Sequence, residues 1–351
     1  MAITCNRLIQ GDCLDVLRDM SPSSIDLAYL DPPFFSNRNY AVIYGDCGEV
    51  RSFRDKWDGG IDHYISWLLV RVEQVHRVLR DSGVVFLHCD WHANAYIRVK
   101  ILDKIFGEKN FVNEIVWQKI RTTKSQSKQF GNVFDTLYFY CKSQNQYTFT
   151  NQSKEFDPKY IKSHYKPDEK TGKLYQLVSL SQQGQGSPKK FGDRVLAPPN
   201  DKHWIWSQER IDQAMADGTI AFTASGTPRK KQYLDNMIGD TVDNLWDDIA
   251  PINSQASERV GYPTQKPEAL LERIIRCASK EGYVVLDPFV GGGTTIAVAE
   301  KLNRSWIGID QSPYAIKVSE MRLQKQGHKQ IAPYSVHWDK CDWDCLFNKE
   351  P

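Results

Sequence analysis

The sequence predicts an α/β layer fold built on a mixed, mostly parallel sheet. Three observations carry that reading. Short apolar runs alternate with amphipathic stretches through the first 118 residues, and the same alternation returns from about residue 256 to the end. Two of the apolar runs stop abruptly, one at Asp31-Pro32-Pro33 and one at Asp287-Pro288, ahead of a glycine triplet.

In the first block, Leu8-Ile9 is a short strand-like run ending at Gly11-Asp12, and residues 13–20 have helical spacing with Leu14 and Leu17 on one side. Residues 25–30 read as a strand. It must end at Asp31, because two consecutive prolines cannot continue a ladder. Residues 64–79 predict a helix with Leu68, Leu69, Val72, Val75 and Leu79 as its apolar positions. Asp81-Ser82-Gly83 predicts a turn, residues 84–87 a strand, and residues 93–106 a helix closed by Gly107.

In the last block, residues 268–279 predict a helix behind Pro267, with Leu270, Leu271, Ile274, Ile275 and Ala278 as its stripe. Residues 284–286 are a strand running into Asp287-Pro288-Phe289-Val290-Gly291-Gly292-Gly293. A helix follows from Thr294 to Leu302, then a strand over 306–309 ending at Asp310, then a helix over 314–323. No internal repeat is present.

The middle block, about 119–255, loses this rhythm. Between Gln118 and Asp235, 19 lysines and arginines stand against 11 aspartates and glutamates, although the whole chain carries only +2. Phe130, Phe134, Tyr138, Phe139, Tyr160, Tyr165, Trp204 and Trp206 are interleaved with these charges. A basic, aromatic-rich insertion has the composition of a nucleic-acid-facing module, with Arg229-Lys230-Lys231 as a candidate phosphate contact. The expected organisation is therefore 1–118, 119–255 and 256–351.

Composition excludes other classes. A chain of 351 residues with 41% hydrophobic and 25% charged residues is globular rather than disordered. No apolar run approaches the ~18 residues a membrane span needs, and the first residues lack the apolar core of a signal peptide. The eight cysteines are scattered, which predicts a reduced, cytoplasmic protein.

Two loops carry the candidate chemistry. A strand, a glycine turn and a helix N-terminus at Gly291-Gly292-Gly293 let a ligand approach the backbone closely. Asp310, at the end of the next strand, can accept two hydrogen bonds from a ribose diol. Thr294 and Thr295 stand where a dinucleotide fingerprint would place a further glycine. At Asp31-Pro32-Pro33-Phe34, the prolines can fix the Asp31 carboxylate beside the Pro32 carbonyl. Two fixed acceptors can grip both hydrogens of an aromatic amine, draw its nitrogen toward tetrahedral geometry and free its lone pair. Phe34 can stack on a base taken out of a duplex.

Together the two loops resemble the β-class S-adenosylmethionine-dependent DNA amino-methyltransferases, in which the catalytic segment comes first, target recognition second and the cofactor loop last. Thr264-Gln265-Lys266, within Tyr262–Pro267, resembles the segment lining the methionine side of that family's cofactor pocket. Gly308-Ile309-Asp310 resembles its ribose-binding acid, and Gly11-Asp12-Cys13 the segment contacting the cofactor adenine through Asp12. The resemblance implies a Rossmann-like methyltransferase fold with permuted halves, and an inserted target-recognition region.

The residues it implies for the cofactor are Asp12, Cys13, Asp31, Thr264, Gln265, Lys266, Asp287, Phe289, Gly291, Gly293, Thr294, Thr295 and Asp310. It implies direct in-line transfer to an amine of double-stranded DNA. Asp31 in the first motif position favours adenine N6 over cytosine N4, while RNA and protein amides remain alternatives. No Pro-Cys pair offers the nucleophile of a carbon-5 cytosine enzyme. A homodimer and a separate restriction endonuclease are compatible with the family, and no membrane partner is expected. The clusters His88-Cys89-Asp90-Trp91-His92 and His337, Cys341, Cys345 lack a complete ligand set in sequence, and no metal is expected.

Overall fold

The computed structural model describes residues 6–36, 39–44, 49–54, 57–120, 128, 130–253, 255–326 and 335–338. They form two compact units, Met1–Gln152 with Val242–Pro351 and, separately, Ser153–Thr241.

The first unit begins with β1 (Arg7–Gln10), α1 (Cys13–Asp19) and β2 (Ile25–Leu30). A separate hairpin, Asn39–Tyr44 with Glu49–Arg54, precedes α2 (Gly60–Val78). Then come β3 (Leu79–Cys89), α3 (residues 94–106), β4 (Phe111–Gln118) and β5 (Phe134–Cys141). After the second unit the chain adds β6 (Leu245–Trp246), α4 (Glu268–Ala278), β7 (Val284–Asp287), α5 (Thr294–Lys301), β8 (Ser305–Asp310), α6 (Pro313–Lys325) and β9 (Ser335–Trp338).

These strands make one nine-stranded sheet in the order β6-β4-β5-β3-β2-β7-β8-β1-β9. From β3 to β9 every neighbouring pair is parallel. Only β5, antiparallel to β3 and β4, breaks the direction. The fold is thus α/β with a mostly parallel sheet. The two ends of the chain interleave in it, since β2 lies beside β7 and β1 between β8 and β9.

Both faces of the sheet are covered, which is why β2 is buried along its whole length and not at alternate residues. On one face Leu27, Tyr29, Phe86 and Phe139 pack with Leu270, Ile274, Ile296 and Ile316 of α4, α5 and α6. On the other, Ala28, Leu30, Val85 and Leu87 pack with Leu17, Leu68, Val72 and Ile97 of α1, α2 and α3. The α4 stripe predicted from spacing is the buried one. Asp12 caps α1 by accepting from the Leu14 amide at 2.8 Å, and Ser312 caps α6 ahead of Pro313.

Three expectations need correction. The turn at Asp81-Ser82-Gly83 lies inside β3. The ladder shifts register there, with Ile25 opposite Leu79 but Leu27 opposite Val84, so a bulge absorbs the polar residues. The helix over 94–106 is not regular, because Arg98–Leu102 forms a π turn.

The third concerns the block 119–255, which is wider than the compact unit. β5 and β6 belong to the main sheet. Tyr138 and Phe139 are core residues, with Phe139 stacked on Phe86 at 4.3 Å between centroids. Aromatics that must pair across a sheet interior carry the same composition signal as aromatics facing a ligand. Within Ser153–Thr241 the basic excess falls to 14 lysines and arginines against 11 acids.

The second unit holds a four-stranded antiparallel sheet formed by Ile220–Phe222, Pro228–Tyr233, Leu174–Ser179 and Lys166–Pro167. A small core contains Leu180, Phe191, Trp204, Trp206 and Ile211. Among the described residues no helix is long and apolar enough to cross a membrane.

The turn from β7 into α5 is closely packed. Gly293 has φ +73°, and a Cβ there would lie 2.9 Å from the Ser319 Cα. Gly293→Ala is expected to lower unfolding free energy by about 2–4 kcal/mol, combining left-handed strain with a backbone clash. Gly282 has φ +78° but open space around it, so Gly282→Ala should lose only about 1–2 kcal/mol. Denaturant titration measures both, and equal losses would exclude the Ser319 contact as a cause.

Candidate active site

Parallel strands place their carboxyl ends at one edge of a sheet, and here four adjacent strands end in acids. In spatial order β2-β7-β8-β1, the strand ends carry Asp31, Asp287, Asp310 and Asp12. All four line one pocket. Pro32, Pro33, Phe34, Cys13, Thr264, Gln265, Lys266, Phe289, Gly291, Thr294 and Thr295 line it too. The sequence-predicted residues therefore converge from five separated segments. Gly293 is the exception, being turned back against Ser319 and away from the pocket wall.

Each acid is held differently. Asp12 receives Arg71 through both oxygens, at 2.9 and 2.6 Å. The Arg71 guanidinium sits 4.1 Å over the Trp67 ring, and Trp67 packs against Phe289. Asp310 accepts from the Gly291 amide and the Ser312 amide, both at 2.9 Å. One amide on each oxygen leaves acceptor capacity for further donors. Burial pushes the Asp310 carboxyl up to about 6 despite those two bonds.

Asp287 is 2% exposed and accepts from the Phe289 amide at 3.0 Å. Burial pushes its carboxyl up to about 7, with Asp31 and Asp310 adding to the rise and bonds from Thr295 and Phe289 opposing it. Asp31 pairs with Lys266 through Oδ2, while its Oδ1 is buried with no hydrogen-bond partner among the described residues.

The Asp31 loop is clamped from outside. Tyr64 of α2 donates to the Pro33 carbonyl at 2.7 Å, and Phe35 is held at φ +58° with its ring against Tyr64. The Phe34 ring lies 5.4 Å from His88 and 4.9 Å from the Lys266 ammonium.

His88 is fully buried in a polar chain. The Tyr29 hydroxyl and Nδ1 share a hydrogen bond at 2.9 Å, Nε2 bonds to Asp135 at 3.2 Å, and Lys119 completes Asp135 at 2.5 Å. Burial raises the Asp135 carboxyl, but the bonds and charges of His88 and Lys119 prevail and hold it below its ordinary value. His88-Cys89-Asp90-Trp91-His92 is thus divided. His88 points into this chain, whereas Asp90 binds His92 at 2.8 Å. Among the described residues no group of three His, Cys, Asp or Glu is placed to hold a metal. Cys341 and Cys345 lie outside the described residues.

The 264–266 segment does structural work as well. Gln265 commits its amide to the Val260 amide and the Glu258 carbonyl. Thr294 donates its hydroxyl to the Lys266 carbonyl at 3.1 Å and accepts from Arg322, which also reaches the Gly292 carbonyl at 3.2 Å. Tyr262 closes over the glycine loop, where a Cβ on Gly291 would meet it at 3.1 Å. Sequence reasoning missed Trp67, Arg71 and Tyr29 as pocket residues. Arg71 had a readable signal, since it is a lone charge among Leu68, Val72 and Val75 on the apolar face of α2.

In the second unit the Arg229–Lys231 cluster is also divided. It lies on the strand Pro228–Tyr233, so successive side chains face opposite sides. Lys231 is bonded to Asp168 at 2.6 Å and is 15% exposed, which removes it as a free phosphate contact. Asp168 is held well below the usual carboxylate range by that bond, with further donation from Lys170 and Tyr233. Lys230 lies 5.8 Å from the Trp206 ring, which also receives Arg210 at 4.6 Å.

A proline-braced acid beside an aromatic ring and a glycine loop bonded to a buried acid thus share one pocket at the edge of an α/β sheet. The comparisons give the family. The chain matches the DNA methylase family model over residues 25–321, and it belongs to that family. It is 30% identical to the type II methyltransferase M.EcaI of Enterobacter cloacae, over 85% of this chain and 64% of that protein's length. It is 25% identical to the DNA adenine methyltransferase YhdJ of Escherichia coli K12, over 92% of this chain and 83% of that one. The fold matches TTHA0409 of Thermus thermophilus, solved with S-adenosyl-L-methionine, with TM-score 0.50 and 17% identity, covering 95% and 98% of the two chains.

The buried acids set a pH dependence. Folding raises Asp287 from 3.8 to about 7, so between those values the folded state holds a proton the unfolded chain has released. Stability therefore falls as pH rises through that window, and the penalty is complete above it. Asp287→Asn removes the penalty while its side-chain oxygen can still accept from the Phe289 amide. It is expected to raise Tm by several degrees at pH 8, with a smaller gain at pH 5. A gain that grows on acidification would show that burial is not the cause.

Proposed function

We propose that this protein transfers a methyl group from S-adenosyl-L-methionine to the exocyclic N6 amine of adenine in double-stranded DNA, with the base taken out of the duplex and no covalent enzyme intermediate. The observation that carries this reading is the buried, unpartnered Oδ1 of Asp31 in the same pocket as the Gly291 loop and Asp310.

The pocket fits that donor. Asp310 keeps acceptor capacity for a ribose diol, and a cation is favoured beside four acids of which, among the described residues, two carry a basic side-chain partner. Trp67 and Phe289 offer aromatic surface beside Asp12 and Cys13 for an adenine ring, and the 264–266 segment lines the opposite part of the pocket. S-adenosyl-L-methionine, when bound, supplies an electrophilic methyl on a sulfonium. Asp31 Oδ1 and the Pro32 carbonyl accept the two amine hydrogens, which frees the nitrogen lone pair. Asp31 then holds the proton that the alkylated amine releases. Phe34 offers the ring on which the base stacks.

Adenine is favoured by Asp31 in the first motif position and by the likeness to YhdJ. Cytosine N4 is the second reading, because the same pair of acceptors grips either amine. Single-molecule sequencing of DNA from a methylation-free host expressing the protein is expected to show N6-methyladenine at one motif. N4-methylcytosine would replace the adenine reading, and unmodified DNA would overturn both. Asp31→Asn is expected to lower methyl transfer at least about a hundredfold with Tm retained, and near-wild-type activity would overturn the role of Asp31.

DNA recognition is assigned to the part of the 119–255 block that forms the second unit, Ser153–Thr241, with Arg229 and Lys230 as phosphate contacts and Lys231 as a fold residue. The double change Arg229→Ala, Lys230→Ala is expected to flatten the slope of log affinity against log salt by about 1–2. Lys231→Ala should instead lower stability, by leaving Asp168 short of a partner. An unchanged salt slope would remove Arg229 and Lys230 from the interface. A cytoplasmic setting, a homodimer and a separate restriction endonuclease partner accord with this reading.

A further inference from the structure

Lys266 was expected to serve the cofactor, yet its ammonium is committed to the catalytic loop. It donates to Asp31 Oδ2 and sits 4.9 Å from the centroid of the Phe34 ring. It also lies 3.4 Å from the Thr264 carbonyl, and its side chain is 11% exposed. One N–H donor thus holds the Asp31 oxygen beside the free Oδ1 and covers the ring on which the base would stack. The Phe34 ring is also contacted by His88, which the Tyr29–Asp135 chain holds fully buried. Of His88 and Lys266, the lysine is the one with a flexible stem that can withdraw.

We propose that Lys266 is an internal stand-in for the target amine. It covers the Phe34 ring and holds Asp31 Oδ2 while DNA is absent, and must leave the ring before a base stacks there. This rests on the amine-transfer reading above. The physical reason for its position is the acid edge. An ammonium beside Asp31 lowers the repulsion among Asp31, Asp287 and Asp310, and any second cation arriving at that edge weakens the hold on it. The charge-assisted bond to Oδ2 holds the ammonium over Phe34, so a base that would stack there competes at a disadvantage. Lys266 therefore sets the threshold for seating a base and discriminates against one presented without the rest of its recognition site.

Two substitutions should act in opposite directions. Lys266→Met keeps length and removes the competing donor. Lys266→Arg can hold both Asp31 oxygens with a planar fork. Initial methylation rates on a pool of unmethylated plasmid DNA are measured for wild type and both variants, alongside calorimetry with S-adenosylhomocysteine. Lys266→Met is expected to lower KM for DNA about fivefold or more, and Lys266→Arg to raise it, with S-adenosylhomocysteine affinity changed less than about twofold.

A lower kcat at unchanged KM would overturn the proposal, making Lys266 a fixed partner of Asp31. Weakened S-adenosylhomocysteine binding at unchanged KM would also overturn it, making Lys266 a cofactor ligand. Wild-type protein that binds S-adenosylhomocysteine but methylates no plasmid would overturn the amine-transfer reading itself, and the stand-in with it. If Lys266→Met fails to fold, an unchanged or lowered KM in Lys266→Arg is sufficient to overturn the stand-in.

Discussion

The site depends on one electrostatic constraint, the crowding of four carboxylates at the ends of four parallel strands. β2, β7, β8 and β1 are neighbours running in one direction, so Asp31, Asp287, Asp310 and Asp12 cannot avoid one another. Bulk water would screen them, but a pocket walled by Trp67, Phe289 and Tyr262 does not. The fold meets the repulsion in three ways. Arg71 and Lys266 neutralise the two outer acids, backbone amides of the glycine loop and the α6 cap hold Asp310, and Asp287 is pushed toward its neutral form. Two basic side chains against four acids leave the edge attractive to a cation.

That attraction is useful only if the edge does not collapse, and much of the surrounding polar structure prevents it. Arg322 is 3% exposed and binds the Gly292 carbonyl, the Thr294 hydroxyl and Glu268, tying the glycine loop to α4 and α6. Glu268 in turn accepts from Lys301. Burial raises its carboxyl, but the cations Lys301 and Arg322 hold it below its ordinary value. A buried arginine of this kind is costly to strand, because loss of any partner leaves a charge unpaired. The glycine loop is therefore fixed from behind by Arg322, which does not itself line the pocket.

The loops were legible in the sequence because proline and glycine punctuate the chain chemically. Pro32-Pro33 must end β2, and Gly291-Gly292-Gly293 must make a close turn, whatever the tertiary context. The strand and helix order was legible for the same reason that both sheet faces are buried. What the sequence could not display was pairing at long range. The contact between Lys266 and Asp31 spans 235 positions, and the same lysine read from its neighbours looked like a cofactor ligand. Lys231 read as a surface charge until Asp168, 63 residues away, took it. The aromatics of β5 were indistinguishable by composition from aromatics facing DNA, since both uses favour flat apolar rings among polar residues.

The same long-range pairing explains why a fully buried polar chain persists behind Phe34. Replacing Tyr29, His88 and Asp135 by apolar residues would avoid the cost of burying them, but it would also free the ring they support. With every member bonded, the chain from Tyr29 through His88 and Asp135 to Lys119 holds the imidazole in one orientation against Phe34. On the other side Tyr64 fixes the Pro33 carbonyl and Phe35 sits in a strained left-handed turn. A loop pinned from both sides has little freedom to rearrange around an incoming base. The movement that admits one must then come from the group that is both flexible and held mainly by charge, and in this pocket that group is Lys266.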